Sequence, residues 1–264
     1  MNLPRIACFH GGGSNSAVFA EQCKRLRHLF ANEYDFVFFD APYEREAGPT
    51  VLPYFADYAP FRTWLQPGGD IAQEEEGLSR VLQLMDAHTL KRERELRKLG
   101  RDDAPGMWIG AMGFSQGTRM VSGLLLRQQR TGYVDGGQRR QRLMNDTSNV
   151  DFQFGVLCMG SSSPMGAGPV PLSSQIREVE STGDSGWKMH DIAIQIPTLH
   201  LHGLRDDILP KSQQQLNSYF DGKSAIRMEI NYHHAMPWYT EDLVEFANMI
   251  RQTHQLATRR LDES

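Results

Sequence analysis

The stretch that decides the fold is IGAMGFSQGT, residues 109–118, which has the pattern of a buried strand running directly into a helix. At its centre stands a G-x-S-x-G pentapeptide, residues 113–117, with Ser115 in the middle. A serine at such a turn takes a strained backbone conformation, and its neighbours two positions away must be small because strand and helix pass close together. The turn lifts the hydroxyl clear of the sheet, beside a helix N-terminus that favours developing negative charge. The pentapeptide therefore predicts a nucleophilic serine.

The rest of the chain alternates between short apolar runs and helical patterns, which places the pentapeptide in a repeated strand–helix context. Apolar or alternating runs predict strands over residues 5–9, 35–39, 108–113, 152–159, 198–203 and 226–230. Apolar residues at helical spacing predict helices over 16–30, 71–99, 116–129, 212–220 and a final helix ending near 256. This order predicts a mostly parallel, doubly wound α/β sheet with helices on both faces, in one domain spanning residues 1–264.

Two segments do not fit the alternation and are predicted to surround the site. Residues 43–70 combine four prolines with six aromatic side chains, and prolines at this density forbid a long helix or a central strand. We predict that this segment forms a wall of an apolar substrate pocket, with the rings of Tyr58, Phe61 and Trp64. The alternative is that these rings pack the loop onto the domain. Residues 161–190, rich in serine, glycine and proline, predict a mobile connection or cap.

Composition and charge exclude several classes of function. Hydrophobic residues make up 40% of the chain and charged residues 23%, which is typical of a globular protein. The net charge of −4 provides no basic field for nucleic acid, and no apolar run approaches the length of a membrane span. Three cysteines without close spacing favour neither a disulfide framework nor a zinc site. Because no signal-peptide pattern precedes the first strand, we expect a cytoplasmic protein that binds neither nucleic acid nor membranes.

The glycine run after the first strand, residues 10–13, predicts backbone N–H groups that point into an open site. Phosphate binding is one use of such a loop, but the Walker lysine and the G-x-G-x-x-G spacing are missing. Because Ser115 is a predicted nucleophile, an oxyanion hole is the better interpretation. The N–H groups of Gly12 and Gln116 would form it. Gly13 is the alternative first donor, and a turn that needs glycine only for its shape is the alternative role. We expect the His10 side chain to brace the loop.

An acidic pair and a histidine pair follow later strands, in the order that a serine nucleophile requires. Asp206-Asp207 comes after the strand at 198–203, and His233-His234 after the strand at 226–230. A serine hydroxyl needs a base within hydrogen-bond reach, and the base needs an acceptor that fixes its tautomer. The carboxyl ends of parallel strands meet at one edge of the sheet, so these loops converge on Ser115. Spacing alone leaves open which aspartate and which histidine take part.

Two further histidines, His200 and His202, stand two apart on one strand and share a face. A metal site would need a third ligand, which the sequence does not supply, so a structural role is the better interpretation. We expect no metal and no cofactor.

Five ordered blocks resemble the FSH family of serine hydrolases, which has the α/β-hydrolase fold. The blocks are residues 10–13, 40–42, 113–117, 202–206 and 234–237, and they run nearly from end to end. The resemblance implies that Ser115 is the nucleophile, Asp206 the acid and His234 the base, with Asp207 and His233 as the alternatives. Tyr232-His233 departs from the Gly-Gly or Gly-Asp usual before that histidine, and we expect the larger side chains to narrow the space beside the base.

Residues 58–64 are similar to the fungal branch of the family, whose members act as thioesterases or esterases beside polyketide synthases. The resemblance implies cleavage of an acyl ester or thioester through an acyl-enzyme. The aromatic segment favours a hydrophobic or polyketide-type acyl group, carried on CoA or on the acyl-carrier domain of a synthase. Acyl transfer by the same three groups is one alternative. Another is a non-hydrolytic member of the fold that binds a small molecule or assists a cyclisation, which an intact set of three groups disfavours.

Overall fold

The computed structural model describes residues 2–49, 51–101, 103–134, 149–167 and 193–262. Its strands are β1 (Arg5–Phe9), β2 (Asp35–Phe39), β3 (Tyr43–Glu44), β4 (Arg62–Thr63), β5 (Trp108–Phe114), β6 (Val150–Cys158), β7 (Thr198–Gly203) and β8 (Ala225–Ile230). The described strands form a six-stranded sheet in the order β2-β1-β5-β6-β7-β8, with every neighbouring pair parallel. The two short strands β3 and β4 form a separate antiparallel ribbon. The predicted α/β sheet is confirmed.

Helices cover both faces of this sheet. They are α1 (Ser16–Gln22), α2 (Lys24–Leu29), α3 (Ile71–Lys98), α4 (Gly117–Val134), α5 (Leu209–Tyr219) and α6 (Thr240–Asp262), with a 3-10 turn at Ala56–Tyr58. Ile6 and Cys8 of β1 belong to the core that α1, α2 and α6 cover. Ala7 and Phe9 belong to the core under α3, α4 and α5, because successive side chains of a strand point to opposite faces. None of the helices in the described ranges is long and apolar enough to cross a membrane.

Several helix boundaries differ from the prediction. The helix predicted over 16–30 is two short helices that meet at Cys23, whose ψ of 4° departs from helical geometry. The helix expected to begin at residue 212 begins at Leu209, because Pro210 lies in the first turn, where a missing N–H costs nothing. Helices α4 and α6 run beyond the predicted ends at 129 and 256. Most of the predicted cap, from residue 168 onward, lies outside the described residues.

The strand order places a crevice where the functional loops emerge. From β1 the chain moves outward to β2, then returns to the other side of β1 as β5 and continues away through β6, β7 and β8. The order therefore reverses between β1 and β5. In open parallel sheets, ligands bind at the carboxyl ends of the strands at such a reversal. The glycine loop follows β1 and Ser115 follows β5, so both lie at this point.

Candidate active site

Ser115 stands at a sharp turn between β5 and α4, with a backbone φ of +52°. This left-handed conformation is uncommon for a residue that carries a side chain. A Cβ at Gly113 would lie 2.4 Å from the Gly117 carbonyl oxygen, and a Cβ at Gly117 would lie 2.1 Å from the Phe9 carbonyl oxygen. The turn is also tied to the sheet, since the Ser115 N–H donates to the Cys158 carbonyl at 2.8 Å. Only glycine therefore fits two positions before and two positions after the serine.

Asp206 and His234 form a hydrogen-bonded pair between the loops after β7 and β8. The distance from His234 Nδ1 to Asp206 Oδ2 is 2.7 Å. The Asp206 side chain is 3% exposed and that of His234 is 24% exposed. The other carboxylate oxygen accepts a hydrogen bond from the Ile208 N–H at 3.0 Å. Since Nδ1–H donates to the carboxylate, the neutral ring has its lone pair on Nε2, the nitrogen that a serine base uses.

The His234 ring lies against the turn that carries Ser115. Its centroid is 4.9 Å from that of Phe114, the residue immediately before the serine. The structure thus brings the loop after β8 to the end of β5, as the strand order predicts. Asp207 and His233, the neighbours that the sequence left as alternatives, are both exposed. The geometry favours Asp206 and His234 of each pair.

Tyr232 holds the histidine loop, a role that the sequence did not predict. We expected it to narrow the space beside the base, but it is buried and its ring stacks on Trp238, with centroids 4.2 Å apart. Its hydroxyl donates to Asp242 Oδ2 at 2.8 Å and accepts from the Tyr239 N–H at 2.9 Å. The expectation was wrong, because the ring finds room in the core beside the start of α6. The signal that could have indicated this supporting role was the position of Tyr232 directly before the histidine pair.

The glycine loop and Gln116 offer two N–H groups at the crevice. Within the described residues, the N–H groups of Gly12 and Gln116 donate to no protein acceptor. The Gly13 N–H, the alternative donor, is used by the Arg62 carbonyl at 2.8 Å. The Gln116 side chain is held in place, since its Oε1 accepts from Thr63 Oγ1 and from the Trp64 N–H, each at 2.9 Å. The arrangement suits an oxyanion, for which preorganised donors are needed.

His10 is completely buried and braces the glycine loop. Its Nδ1 donates to the Gly11 carbonyl at 2.8 Å, and its Nε2 accepts from the Ala41 N–H at 3.1 Å. The Trp64 indole N–H donates to the His10 carbonyl at 2.8 Å. Burial lowers the pKa of His10 to about 4, so the ring is neutral at pH 7. A neutral ring is required here, because a protonated Nε2 could not accept from Ala41.

A profile of the serine hydrolase (FSH1) family matches residues 1–245 of the chain. The chain belongs to this family. Esterase citA of Monascus ruber is 32% identical over 258 residues, which cover 96% of this chain and 92% of that protein. The probable esterase afoC of Emericella nidulans is 34% identical over 286 aligned positions, which cover 100% of this chain and 93% of that protein.

Solved structures share the fold of this serine hydrolase. Acyl-protein thioesterase 2 of Zea mays has a TM-score of 0.54 at 15% identity, covering 96% of this chain and 95% of that chain. SOBER1 of Arabidopsis thaliana has a TM-score of 0.51 at 14% identity, covering 95% of this chain and 98% of its own. At these identities the likeness shows the α/β-hydrolase fold alone.

Of the three aromatic rings predicted to line the pocket, two are buried in the hydrolase and one is partly exposed. Trp64 is buried in the core and packs edge-on against Phe9, with centroids 5.5 Å apart. Phe61 is buried in a small cluster with Val18 and Val51. Trp64 therefore packs the loop onto β1 and Phe61 packs it onto α1, so both rings take the alternative role of packing the loop onto the domain. Tyr58, 37% exposed, is the one of the three that faces solvent, and its place in a pocket stays a prediction.

A cavity of about 470 Å³ opens beside the first turns of α3 and α4, and its lining includes Ile71, Ala72 and Arg119. Arg119 lies one helical turn after Ser115 and forms an ion pair with Glu74 at 2.6 Å. The same arginine donates to the Ser163 carbonyl at 2.9 Å, and Glu74 accepts from the Gly166 N–H at 2.9 Å. This pair fixes the chain after β6 next to the cavity.

His200 has a packing role in the hydrolase. Its Nε2 is 3.1 Å from Thr198 Oγ1, and its ring centroid is 4.4 Å from that of Phe220. Burial lowers its pKa to about 3. The described residues hold no group of three or more His, Cys, Asp or Glu side chains placed to bind a metal.

We expect Gly117→Ala to destabilise the protein, because its Cβ would overlap a backbone carbonyl that cannot move aside. The free energy of unfolding should fall by about 2 kcal/mol or more, in the range of overpacked core sites. Gly222→Ala is the matched control, since a Cβ at Gly222 would point into open space. That control should change stability by less than about 0.5 kcal/mol. Urea unfolding followed by tryptophan fluorescence compares them, and equal effects of the two substitutions would refute the close crossing.

We expect acid to weaken the brace at His10. Its folded pKa of about 4 lies below the ordinary value of 6.5, so the unfolded chain binds the proton more readily. This contribution to stability is complete above pH 6.5 and is lost as the pH falls towards 4. The urea midpoint should therefore drop from pH 7.5 to pH 5, and His10→Gln should reduce the drop. An equal reduction by His28→Gln, at an exposed histidine, would contradict the assignment.

Proposed function

We propose that the protein hydrolyses acyl esters or thioesters through an acyl-enzyme formed on Ser115. The observation that carries this proposal is the hydrogen bond from His234 to the buried Asp206, made where the His234 ring packs against the residue before Ser115. Membership of the serine hydrolase family supports it. So do the relatives that are named esterases.

In the proposed first half-reaction, Ser115 Oγ attacks the carbonyl carbon while His234 Nε2 takes the hydroxyl proton. The carbonyl oxygen becomes an oxyanion, to which the N–H groups of Gly12 and Gln116 donate. The C–O or C–S bond then breaks, and His234 returns the proton to the leaving alcohol or thiol. In the second half-reaction, water loses a proton to His234 and attacks the acyl carbon. The bond to Ser115 Oγ then breaks, the acid leaves, and His234 gives the proton to Ser115 Oγ, which restores the hydroxyl.

Asp206 has two tasks in this scheme. Its hydrogen bond fixes the His234 tautomer, and its negative charge stabilises the imidazolium that forms when the serine proton is taken. Burial of the carboxylate strengthens this interaction, because little water competes for it. The neighbouring Asp207 is exposed and has no such task.

The acyl group that we propose is hydrophobic, of a polyketide or similar type. Exposed apolar side chains support this: Leu52, Tyr54 and Tyr58 on segment 43–70 are exposed, and Ile71 and Ala72 line the cavity beside the first turns of α3 and α4. The proposed leaving group is CoA or the acyl-carrier domain of a polyketide synthase, because both present the acyl group as a thioester. Acyl transfer would use the same steps with a second alcohol in place of water.

The location that we propose is the cytoplasm. Cys8, Cys23 and Cys158 are all buried and unpaired, and no two of them form a disulfide. Unpaired cysteines are typical of a reducing compartment.

We expect a fluorophosphonate probe to label the protein at Ser115. The serine oxygen bonds to phosphorus, fluoride leaves, and His234 takes the proton. Ser115→Ala should abolish labelling, whereas Ser162→Ala should not. Ser162 is a useful control because it too has a positive φ, of 72°, and is exposed. In-gel fluorescence gives the result, and undiminished labelling of Ser115→Ala would refute the proposal.

We expect the two adjacent aspartates to behave differently. Asp206→Asn should lower kcat/KM for a p-nitrophenyl ester by about 10³-fold or more, because the imidazolium loses its carboxylate and the ring can adopt the wrong tautomer. Asp207→Asn removes the same charge from the next residue and should change kcat/KM less than about threefold. Steady-state kinetics at constant ionic strength separates them. A larger loss with Asp207→Asn would reassign the acid.

A further inference from the structure

The guanidinium of Arg45 lies beside the proposed oxyanion hole. A Cβ built on Gly12 would be 3.3 Å from Arg45 Nη1 and 3.3 Å from Gln116 Oε1, so these two side chains face the same point. Gly12 and Gln116 are the residues whose N–H groups we assign to the oxyanion. A cation is therefore placed next to the position where the acyl carbonyl must lie.

The backbone around Arg45 is bonded to the glycine loop through several contacts. The Arg45 N–H donates to the Phe61 carbonyl at 2.9 Å, at the end of the β3–β4 ribbon. Residue Arg62 of that ribbon donates its N–H to the Ser14 carbonyl at 2.6 Å and accepts from the Gly13 N–H. The Gly48 N–H donates to the Gly13 carbonyl at 2.8 Å. Arg45 is thus placed by the same hydrogen bonds that hold the glycine loop.

No carboxylate of the described residues lies within ion-pair distance of the Arg45 guanidinium. Its sequence neighbours Glu44 and Glu46 are exposed. By contrast, Arg119 at the neighbouring cavity is neutralised by Glu74. Arg45 is exposed and keeps its full charge and its N–H donors for a ligand.

We infer that Arg45 makes the enzyme selective for substrates that carry an anionic group close to the scissile carbonyl. Guanidinium binds carboxylate and phosphate with paired hydrogen bonds, and it does so better than an ammonium group. The anion would be a carboxylate on the acyl group, because the pantetheine arm of a CoA or acyl-carrier thioester keeps its phosphates far from the scissile carbonyl. This inference rests on the proposed function, and it adds a substrate class that the hydrophobic segment 43–70 does not indicate.

The test compares matched substrates that differ in this charge. The first pair is p-nitrophenyl hydrogen glutarate and its neutral methyl ester, which place or remove a carboxylate on the acyl group. The second pair is butyryl-CoA and the butyryl thioester of N-acetylcysteamine, which place or remove the phosphates of the carrier. Each pair is assayed with the parent, Arg45→Gln, Arg45→Lys and the control Arg97→Gln, which removes an exposed arginine near the end of α3. Thermal unfolding checks that each variant is folded.

Arg45→Gln should lower kcat/KM for the charged member of the glutarate pair about tenfold relative to its neutral partner, the scale of a hydrogen bond to a charged group. Arg45→Lys should recover part of this loss, Arg97→Gln should cause none, and added salt should shrink the difference because Arg45 is exposed. The CoA pair should keep its ratio, because its phosphates lie a pantetheine arm away from the thioester carbonyl.

An unchanged ratio in the glutarate pair, a change confined to the CoA pair, or equal losses for all four substrates would overturn the inference. Equal losses would mean that Arg45 only supports the loop. Failure of the parent to cleave any of the four would count against the proposed function instead. In that case, binding of free glutarate to the parent and to Arg45→Gln is measured by calorimetry, and equal affinities would overturn the role of Arg45.

Discussion

The close crossing of β1, β5 and α4 is the constraint on which the site depends. At Gly117 the helix passes so near the end of β1 that a Cβ would lie 2.1 Å from a backbone oxygen. A Cβ at Gly113 would likewise lie 2.4 Å from the Gly117 carbonyl oxygen at the first turn of α4. The serine between the two glycines takes a left-handed backbone conformation in this tight turn. Such strain persists only where the surrounding structure over-determines it. Here the parallel sheet and the helix supply that support, so the fold itself fixes the conformation of the serine.

The proline-rich segment 43–70 serves the site chiefly as a brace. Trp64 packs under the glycine loop and donates to the His10 carbonyl, while Thr63 and the Trp64 N–H hold the Gln116 side chain. Both proposed oxyanion donors are thereby connected to one short stretch of this segment. Preorganised donors cost no rearrangement when charge develops, which is the main advantage of such sites. The segment has little regular structure, but it is held by bonds within itself, such as the β3–β4 ribbon, and by bonds to the glycine loop and to Gln116.

The proposed base and acid are held in different environments that suit their tasks. Asp206 is buried and accepts hydrogen bonds on both oxygens, so its position is fixed. His234 is partly exposed, as a group must be that exchanges protons with substrate and water. Its loop is fixed from behind by Tyr232, whose hydroxyl bonds to the start of α6. The helix on the outer face of the sheet thus contributes to the position of a side chain at its edge.

Sequence patterns alone determined the α/β sheet, the serine turn and the family, because each depends on local features: apolar periodicity, glycine spacing and ordered short motifs. They also predicted that the acidic and histidine loops meet near the serine, since parallel strands end at one edge of the sheet. Tertiary structure alone shows that Asp206 is buried and bonded to His234 whereas Asp207 is exposed, and that the Gly13 N–H is used by the Arg62 carbonyl. Adjacent residues differ in these respects only through where the folded backbone points them. Tertiary structure also decided that Phe61, Trp64 and Tyr232 are buried, because their surroundings include distant parts of the chain. Local spacing carries no information about those long-range contacts.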